Sequence, residues 1–341
     1  MKDADSQINS LTSAPRLGPD FVRIRAWIYS PSQIVRSLFF SFLIGVGTDY
    51  ISSKYLRTPS SPLIKIIPSY IYCLSDNQHT MAAPHPTIVL IHGAWHTPPN
   101  YQSYTDDLQE AGFTVHCPRL PTCNGNRPPN AEFSDDVAHV RSIITSCIER
   151  GEHVLMIMHS YGGMVGTDAA QGLDLATRKA ANQPGGVIHL LYLCAYMLTP
   201  GLTPQAIVEE TNRTEKWLQM VEFAEDGTSF LADPSLACFS GLEDQSVVDK
   251  AVESLVWFPL GPGNAVTTGD VWGTVPSTYV RTSRDCALVP AYQDIILERI
   301  KREGVVPDVV EFDTHHSIWI SLPQEMVQLA FKAAHDERNL K

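Results

Sequence analysis

The sequence predicts an α/β fold built on a mostly parallel, doubly wound sheet. From Met81 onward, short apolar runs alternate with longer stretches whose apolar residues recur at helical spacing. This alternation is typical of a parallel sheet that helices cover on both faces. We therefore expect residues 81–341 to form the folded domain. Residues 1–80 lack this pattern and are predicted to be a poorly ordered extension, so Met81 is itself a candidate translation start.

The predicted elements follow in order along the chain. The run Thr-Ile-Val-Leu-Ile at 87–91 is a continuous apolar strand, and residues 134–150 carry apolar side chains at helical spacing before Gly151. Residues 198–272 break the alternation and hold many large apolar side chains, which indicates an inserted cap of mixed helical periodicity. The other strands are predicted at 113–117, 153–160, 186–196, 277–281 and 306–312, and the other helices at 101–111, 161–181, 289–302 and 323–335.

Composition narrows the class of protein. Of the 341 residues, 44% are hydrophobic and 18% are charged, and the net charge is -12. These values are typical of a soluble globular protein and argue against a partner nucleic acid, since no basic stripe is present. The seven cysteines are scattered without paired spacing, which favours neither a disulfide framework nor a zinc site. A reducing, cytoplasmic compartment is therefore expected.

The amino-terminal extension differs from the rest of the chain in charge. Residues 1–80 hold 8 Lys and Arg against 5 Asp and Glu, so the acidic excess lies in the remainder. Its two apolar stretches, 38–47 and 62–68, are shorter than the roughly 20 residues that a membrane-spanning helix needs. Neither a spanning segment nor a signal peptide is predicted, and residues 36–72 are left as a candidate for peripheral contact with a membrane.

Three predicted strands end at residues that together suit acyl transfer. Ser160 stands where an apolar strand gives way to a glycine-rich helix start, a turn that exposes a serine hydroxyl. Asp285 lies just past the strand at 277–281, and His316 follows the strand at 306–312. The carboxyl ends of strands in an open α/β sheet meet at one crevice. The chain order Ser, Asp, His also accompanies this kind of serine turn.

A further segment, residues 92–96, follows the first predicted strand directly. Gly93 lets the backbone turn so that an amide N–H points into the crevice, and the residue after Ser160 offers a second N–H at a helix start. We assign these two donor roles to Ala94 and Tyr161. The four-residue spacing of the two histidines in the segment does not indicate a metal pair, because they lie on a strand-to-loop turn.

With these residues the chain resembles the α/β-hydrolase superfamily, and within it the branch of plant methylesterases, hydroxynitrile lyases and salicylate-binding esterases. The resemblance implies a Ser-His-Asp esterase with a small helical cap and with the amides of Ala94 and Tyr161 as the oxyanion hole. Microbial members often act on esters or lactones in natural-product pathways. The similarity covers about residues 85–335 and rests on five ordered blocks: Val89 to Ala94, His159 to Gly163, Leu193 to Met197 with Pro200 and Gly201, Tyr279 to Pro290, and His316 to Trp319 with Leu322 and Pro323.

One position departs from the family pattern. The pattern has a small residue two positions before the serine, where strand and helix pack closely, and this chain has Met158. Its side chain is expected to strain the turn unless it points outward. Because adjacent side chains diverge, His315 and His316 cannot both face Ser160. The family block assigns the role to His316, and His315 is expected to be solvated.

Two other carboxylates compete with Asp285. Asp294 falls inside a predicted helix, and Asp313 precedes His316 too closely to approach from a separate strand. The glycines that follow the serine do not form GxGxxG, and no GxxxxGK[ST] run is present, so neither a dinucleotide nor a phosphate loop is predicted. No organic cofactor and no metal are therefore expected.

These observations predict a serine hydrolase that cleaves a carboxylic ester or lactone of a small hydrophobic molecule through an acyl-enzyme. The candidate substrate contacts are Trp95, Trp217, Phe223 and Trp257. Two alternatives stay open. A hydroxynitrile-lyase-like C–C lyase needs a cation, which that subgroup carries on a lysine next to the histidine, where this chain has Ser317. The other alternative is a non-catalytic protein that binds a small ligand on the same fold. The sequence gives no indication of oligomeric state.

Overall fold

The computed structural model describes residues 85–340. The predicted extension 1–80, the membrane-contact candidate 36–72 and Met81 lie outside the described residues. The described strands are β1 Thr87–Ile91, β2 Val115–His116, β3 His153–His159, β4 Gly186–Leu193, β5 Val221–Phe223, β6 Thr228–Leu231, β7 Phe258–Pro259, β8 Ser277–Thr282 and β9 Asp308–Phe312. The described helices are α1 Gln102–Glu110, α2 Phe133–Glu149, α3 Gly162–Ala169, α4 Leu175–Ala180, α5 Pro204–Glu210, α6 Thr214–Met220, α7 Pro234–Phe239, α8 Gln245–Glu253, α9 Pro290–Arg302, α10 Ile318–Ser321 and α11 Pro323–Ala334.

Six strands form one parallel sheet in the order β2-β1-β3-β4-β8-β9, which confirms the predicted fold class. The central strands β1, β3 and β4 are buried almost throughout, because helices lie on both of their faces. The register pairs Ile91 with Met158 and His159 with Leu193, so these three strands end at the same edge of the sheet. That edge carries the residues that the sequence singles out.

Helices on both faces hold the sheet as a rigid support. On one face, Val140 and Ile144 of α2 share a core with α3, α9 and the inward side chains of the sheet. On the other face, Leu108 of α1 and Met326 of α11 belong to a second core. The apolar stripe predicted for α2 is therefore its buried face. This doubly wound packing fixes the strand ends from which loops reach the crevice.

Residues 198–272, here named the cap segment, lie between β4 and β8 in the chain. They contain α5 to α8 and a small antiparallel sheet in the order β5-β6-β7, which the mixed periodicity did not predict. Val221, Phe239 and Val248 belong to a separate apolar core of this segment. Trp95 from the loop after β1 packs against that core. The cap segment thus meets the main sheet next to the loop that the sequence assigns to the crevice.

The largest differences from the predicted boundaries lie in two places. Residues 161–181 form two helices, α3 and α4, instead of one. Asp174 starts the second helix by accepting the Thr177 N–H at 2.8 Å, a capping signal that the apolar pattern concealed. β4 ends at Leu193, earlier than predicted, because Cys194 has a φ of 37° and a strand cannot continue through that conformation.

Among the described residues, no helix combines the length and the apolar content that crossing a bilayer requires.

Candidate active site

Ser160 occupies the turn between β3 and α3 in a strained conformation. Its φ is 51°, in the left-handed region that serine rarely adopts. Its carbonyl accepts the N–H of Gly163 and the N–H of Tyr196, each at 3.0 Å, which ties the turn to α3 and to the segment after β4. The preceding strand is buried through His159, whereas Ser160 is half-buried and lines a cavity. Such a turn presents a hydroxyl clear of the backbone.

Met158 points into the protein, which is the orientation for which the sequence predicts strain at the turn. Its side chain is fully buried and lies over Gly166 of α3. A Cβ at residue 166 would overlap the Met158 Sδ and would lie 2.8 Å from the Ile91 Cδ1. The space that the family pattern provides with a small residue in the strand is provided here by a glycine in the facing helix. The turn therefore keeps close packing in spite of the large side chain.

His316 and Asp285 form a buried pair at two neighbouring strand ends. The Nδ1 of His316 lies 2.8 Å from the Asp285 Oδ2, and both side chains are almost fully buried. Asp285 Oδ2 also accepts the Thr282 hydroxyl at 2.9 Å. Its Oδ1 accepts the N–H of Ala287 at 2.9 Å and of Leu288 at 2.8 Å. This carboxylate is therefore held in one orientation, with one oxygen facing the imidazole.

The competing acidic residues lie elsewhere. Asp294 is exposed and pairs with Arg281, and Asp313 is exposed and pairs with Arg284. His315 is half-buried, because its ring lies against Gly241 of the cap segment, and it is less solvated than predicted. Of the three carboxylates compared, Asp285 is the one that contacts His316, and His316 lines the crevice.

A cavity of about 430 Å³ lies between the strand ends and the cap segment. Both Ser160 and His316 line it. Of the four aromatic residues predicted as substrate contacts, Trp95, Trp217 and Phe223 also line it. Phe223 is 48% exposed, so it lies at the mouth of the cavity. Sequence analysis missed the remaining apolar contacts, which include Val208, Leu218, Met220, Phe258, Leu260 and Leu288.

Trp257 does not line the cavity, which corrects the fourth predicted contact. The Arg127 guanidinium lies 3.9 Å from the centre of the Trp257 ring, and Phe230 packs on the same ring at 5.4 Å. Arg127 also pairs with Asp226 at 2.7 Å. Because adjacent side chains diverge in extended backbone, Trp257 faces away and its neighbour Phe258 reaches the cavity.

Two buried histidines hold the loop after β1. His92 Nε2 accepts the Leu120 N–H at 3.0 Å, so its proton is assigned to Nδ1, which donates to the Gly93 carbonyl at 2.9 Å. His96 Nδ1 lies 2.8 Å from the Ala94 carbonyl. Burial lowers the pKa of His92 to about 4 and that of His96 to about 3, so both rings are neutral at pH 7. They position backbone carbonyls, as expected of residues on a turn.

The two residues that are predicted as oxyanion donors, Ala94 and Tyr161, both line the same cavity. Within the described part of the chain, neither amide N–H donates to a protein acceptor. The Gly93 carbonyl, which His92 holds, belongs to the same peptide unit as the Ala94 N–H. The orientation of that N–H is therefore fixed before any ligand binds.

Asp136 fixes the side chain of Tyr161. Its Oδ2 accepts the Tyr161 hydroxyl at 2.8 Å and the Thr122 hydroxyl at 2.6 Å, and its Oδ1 accepts the Thr122 N–H at 2.9 Å. Burial raises the pKa of Asp136 to about 6 in spite of these donors. No pattern in the sequence predicts this contact, because Asp136 lies in a helix that is remote in the chain from the strand ends.

Among the described residues, one group of possible metal-ligating atoms comes together. Single atoms of His159, Cys194 and His316 lie within 4.8 Å of one another. The Cys194 thiol donates to the His316 carbonyl at 3.3 Å, and burial raises its pKa well above the usual value. His316 Nδ1 is bonded to Asp285. Cys194 and the Nδ1 of His316 are thus engaged in the protein's own hydrogen bonds.

Comparison with known proteins places this geometry in a family. A model of the alpha/beta hydrolase family matches residues 88–329. The alpha/beta hydrolase nvfD of Aspergillus novofumigatus is 26% identical over 251 residues, which cover 73% of this chain and 96% of that protein. A pyrethroid hydrolase of Sphingobium wenxiniae is 24% identical over 257 residues, covering 71% of this chain and 85% of that protein.

A solved structure has a similar fold. It is an extracellular alpha/beta-hydrolase from a Paenibacillus species, described as sharing structural and functional homology with tobacco salicylic acid binding protein 2. The TM-score is 0.52 at 16% identity, and the match covers 74% of this chain and all of that chain, 100%. The chain therefore belongs to the alpha/beta hydrolase family, and its homologues mark it as a hydrolase of that type.

Proposed function

We propose that this chain is a serine hydrolase that cleaves a carboxylic ester or lactone of a small hydrophobic molecule through an acyl-enzyme. Ser160 is the nucleophile, His316 the general base, and Asp285 the residue that orients the imidazole. The observation that carries this proposal is the buried His316–Asp285 pair, 2.8 Å apart, which opens on the same cavity as the strained Ser160.

The first half of the reaction forms the acyl-enzyme. His316 takes the proton of the Ser160 hydroxyl through the nitrogen that Asp285 does not hold, while the serine oxygen bonds to the carbonyl carbon. The carbonyl oxygen becomes an oxyanion, which the N–H groups of Ala94 and Tyr161 receive. The C–O bond to the leaving group then breaks, and His316 gives its proton to the departing oxygen. A lactone keeps that oxygen attached to the acyl group.

The second half releases the acid. His316 takes a proton from water, whose oxygen attacks the acyl carbon of the ester at Ser160. Collapse of this second oxyanion breaks the bond to the serine oxygen, which recovers its proton from His316. Asp285 stabilises the charged imidazole in both halves. The four contacts that fix Asp285 support this role.

The cavity wall supports an apolar substrate. The cap segment supplies most of the lining residues, and the larger part of these are aromatic or aliphatic. Among the described residues, no lysine or arginine lines the cavity. A cyanohydrin lyase needs a cation beside the leaving group, so this lining favours ester or lactone cleavage. Hydrolysis is also the activity in the names of the two sequence relatives, one of them a pyrethroid hydrolase.

The test compares Ser160→Ala with the parent chain on p-nitrophenyl acetate. We expect the variant to lose activity by about 10⁴-fold or more, because removal of the nucleophile leaves only the oxyanion donors and binding. Ser240→Ala is the matched control, since the Ser240 hydroxyl is also buried but does not line the cavity.

Labelling with a fluorophosphonate gives an independent measurement that needs no knowledge of the natural substrate. The probe is expected to modify Ser160 in the parent and in Ser240→Ala, and to leave Ser160→Ala unmodified. Equal hydrolysis rates in the parent and Ser160→Ala, together with no labelling of the parent, would contradict the proposal and favour a protein that only binds its ligand.

A further inference from the structure

The loop after β1 rests directly on the strand that carries Ser160. A Cβ at Gly93 would lie 2.9 Å from the His159 Nδ1 and 3.1 Å from the Ser160 Cβ, so only glycine permits this approach. Through this contact the peptide that carries the Ala94 N–H is placed next to the proposed nucleophile. The distance between oxyanion donor and serine therefore depends on what holds Gly93 to β3.

The hydroxyl of Tyr101 bridges the two segments. It accepts the Gly93 N–H at 3.1 Å and lies 2.7 Å from the His159 Nδ1. An amide N–H can only donate, so the tyrosine oxygen is the acceptor there. Its own proton is assigned to His159 Nδ1, because the described residues offer that proton no other acceptor. His159 is then the neutral tautomer with its proton on Nε2, which has no hydrogen-bond partner within the described chain. Burial lowers the pKa of His159 well below 6.5, in agreement with a neutral ring.

Packed rings connect the hydrogen bonds of the Tyr101 hydroxyl, here called the Gly93–Tyr101–His159 bridge, to His316. Tyr101 is fully buried and stacks on Trp319 with ring centres 4.3 Å apart. Trp319 meets the His159 ring edge to face at 4.5 Å. His159 in turn packs on His316 with ring centres 4.4 Å apart. A movement of Tyr101 or His159 would therefore shift the proposed general base as well as the oxyanion loop.

We propose that Tyr101 is a positioning residue. Through the Gly93–Tyr101–His159 bridge it joins the loop after β1, which carries the Ala94 N–H, to the end of β3 next to Ser160. The proposal rests on the proposed function. We expect its effect in the transition state, because the bridge sets the position of the Ala94 N–H while none of its three residues lines the cavity. The ground-state binding of substrate is left almost unchanged.

The test is Tyr101→Phe, which removes the hydroxyl and keeps the ring that stacks on Trp319. We expect kcat to fall 10-fold to 100-fold with KM within twofold of the parent, as for the loss of alignment at an oxyanion donor. The affinity for phenylboronic acid, which forms a tetrahedral adduct with an activated serine, is expected to fall by a similar factor.

Tyr104→Phe is the matched control. The Tyr104 hydroxyl is equally buried and donates to the Met326 carbonyl at 3.3 Å, away from the cavity. We expect it to lower the melting temperature by a similar amount and to keep the kcat and boronate affinity of the parent. Equal kcat in the two tyrosine variants would overturn the proposal, because a structural hydroxyl then explains both.

A second variant, His159→Gln, removes the imidazole acceptor and leaves the Gly93–Tyr101 hydrogen bond in place. We expect a kcat loss of 3-fold to 10-fold, and a double variant with Tyr101→Phe no worse than Tyr101→Phe alone, because both changes break one bridge. If Tyr101→Phe does not fold, His159→Gln tests the proposal alone. A kcat of His159→Gln equal to that of the parent then overturns the proposal. Failure of the proposed function is distinguishable, since the parent itself would then lack fluorophosphonate labelling.

Discussion

The two walls of the cavity are built in different ways. One wall is formed by the loops that follow the strands of the main sheet, and we call it the strand-end wall. Hydrogen bonds fix the residues behind it, as around Asp285 and His92. The other wall is formed by the cap segment, and we call it the cap wall. Its lining consists mainly of apolar side chains without directional contacts, and Leu218 and Phe223 are 56% and 48% exposed. Directional contacts define single positions, whereas apolar packing tolerates exchange of similar volumes. We infer that the strand-end wall determines the chemistry and the cap wall the choice of substrate.

Asp285→Asn tests the strand-end wall with the largest expected effect. The amide retains the shape of the carboxylate but cannot stabilise a charged His316, and it favours the wrong tautomer of the ring. We expect kcat to fall by about 10⁴-fold with a small change in KM, measured with p-nitrophenyl acetate. Asp294→Asn is the control, because Asp294 is exposed and away from the cavity. A loss below tenfold in Asp285→Asn would show that this wall does not hold the base.

Mild acid is expected to lower the stability of the protein through the buried histidines behind the strand-end wall; the cap segment contains no histidine. The folded-state pKa of His92 is about 4 and that of His96 about 3, both below the unfolded value of 6.5. As pH falls below 6.5, these histidines bind protons in the unfolded chain but not in the folded chain. The free energy of unfolding therefore falls, by at most about 1.4 kcal/mol per pH unit for each histidine. Urea unfolding at pH 7, 6 and 5 measures this slope.

Asp136 opposes this trend. Its folded-state pKa, about 6, lies above the unfolded value of 3.8, so it contributes stability that is present at low pH and lost as pH rises through 6. Asp136→Asn removes this contribution. Between pH 6 and 4 the variant is expected to lose stability more steeply than the parent, by at most about 1.4 kcal/mol per pH unit. Parallel slopes in the two proteins would contradict the assignment.

Gly166→Ala tests the packing behind the nucleophile turn. The new methyl group would overlap the Met158 side chain, and we expect a loss of about 1 to 3 kcal/mol in the free energy of unfolding. Adding Met158→Ala is expected to recover part of that loss, because the two positions share one space. Additive losses in the double variant, measured by urea unfolding, would show that the two side chains are independent.

The smallest effect is expected on the cap wall. Trp217→Ala removes a ring that lines the cavity, and Trp257→Ala removes a ring that does not. We expect Trp217→Ala to raise KM about tenfold for a 1-naphthyl ester with kcat unchanged, a loss of roughly 1.4 kcal/mol of apolar contact. Trp257→Ala is expected to stay within twofold of the parent. Equal KM values in the two variants would show that this residue of the cap wall does not contribute to substrate binding.

The sequence predicts the main sheet well and the cap poorly, for a physical reason. Strands buried on both faces are nearly continuous apolar runs, so β1, β3 and β4 are visible without any tertiary information. The sequence predicts one helix at 161–181, because apolar residues continue across the break between α3 and α4. Asp174 caps the start of α4. The β5-β6-β7 sheet went unpredicted, since its strands have two to four residues each and show no period.

At the site, chain order and strand ends predicted Ser160, Asp285 and His316, which the structure brings to one crevice. Contacts that depend on a partner remote in the chain could not be predicted. Tyr101 meets His159 across 58 positions, and Trp257 differs from Phe258 only in the side of the backbone that each one takes.

The exchange of volumes between Met158 and Gly166 changes how such turns should be recognised. A search that requires a small residue two places before the nucleophile would pass over this chain, although the steric condition is met. In this chain the bulk of Met158 in the strand is matched by the missing side chain of Gly166 in the facing helix. A pattern that considers both positions together would accept this turn.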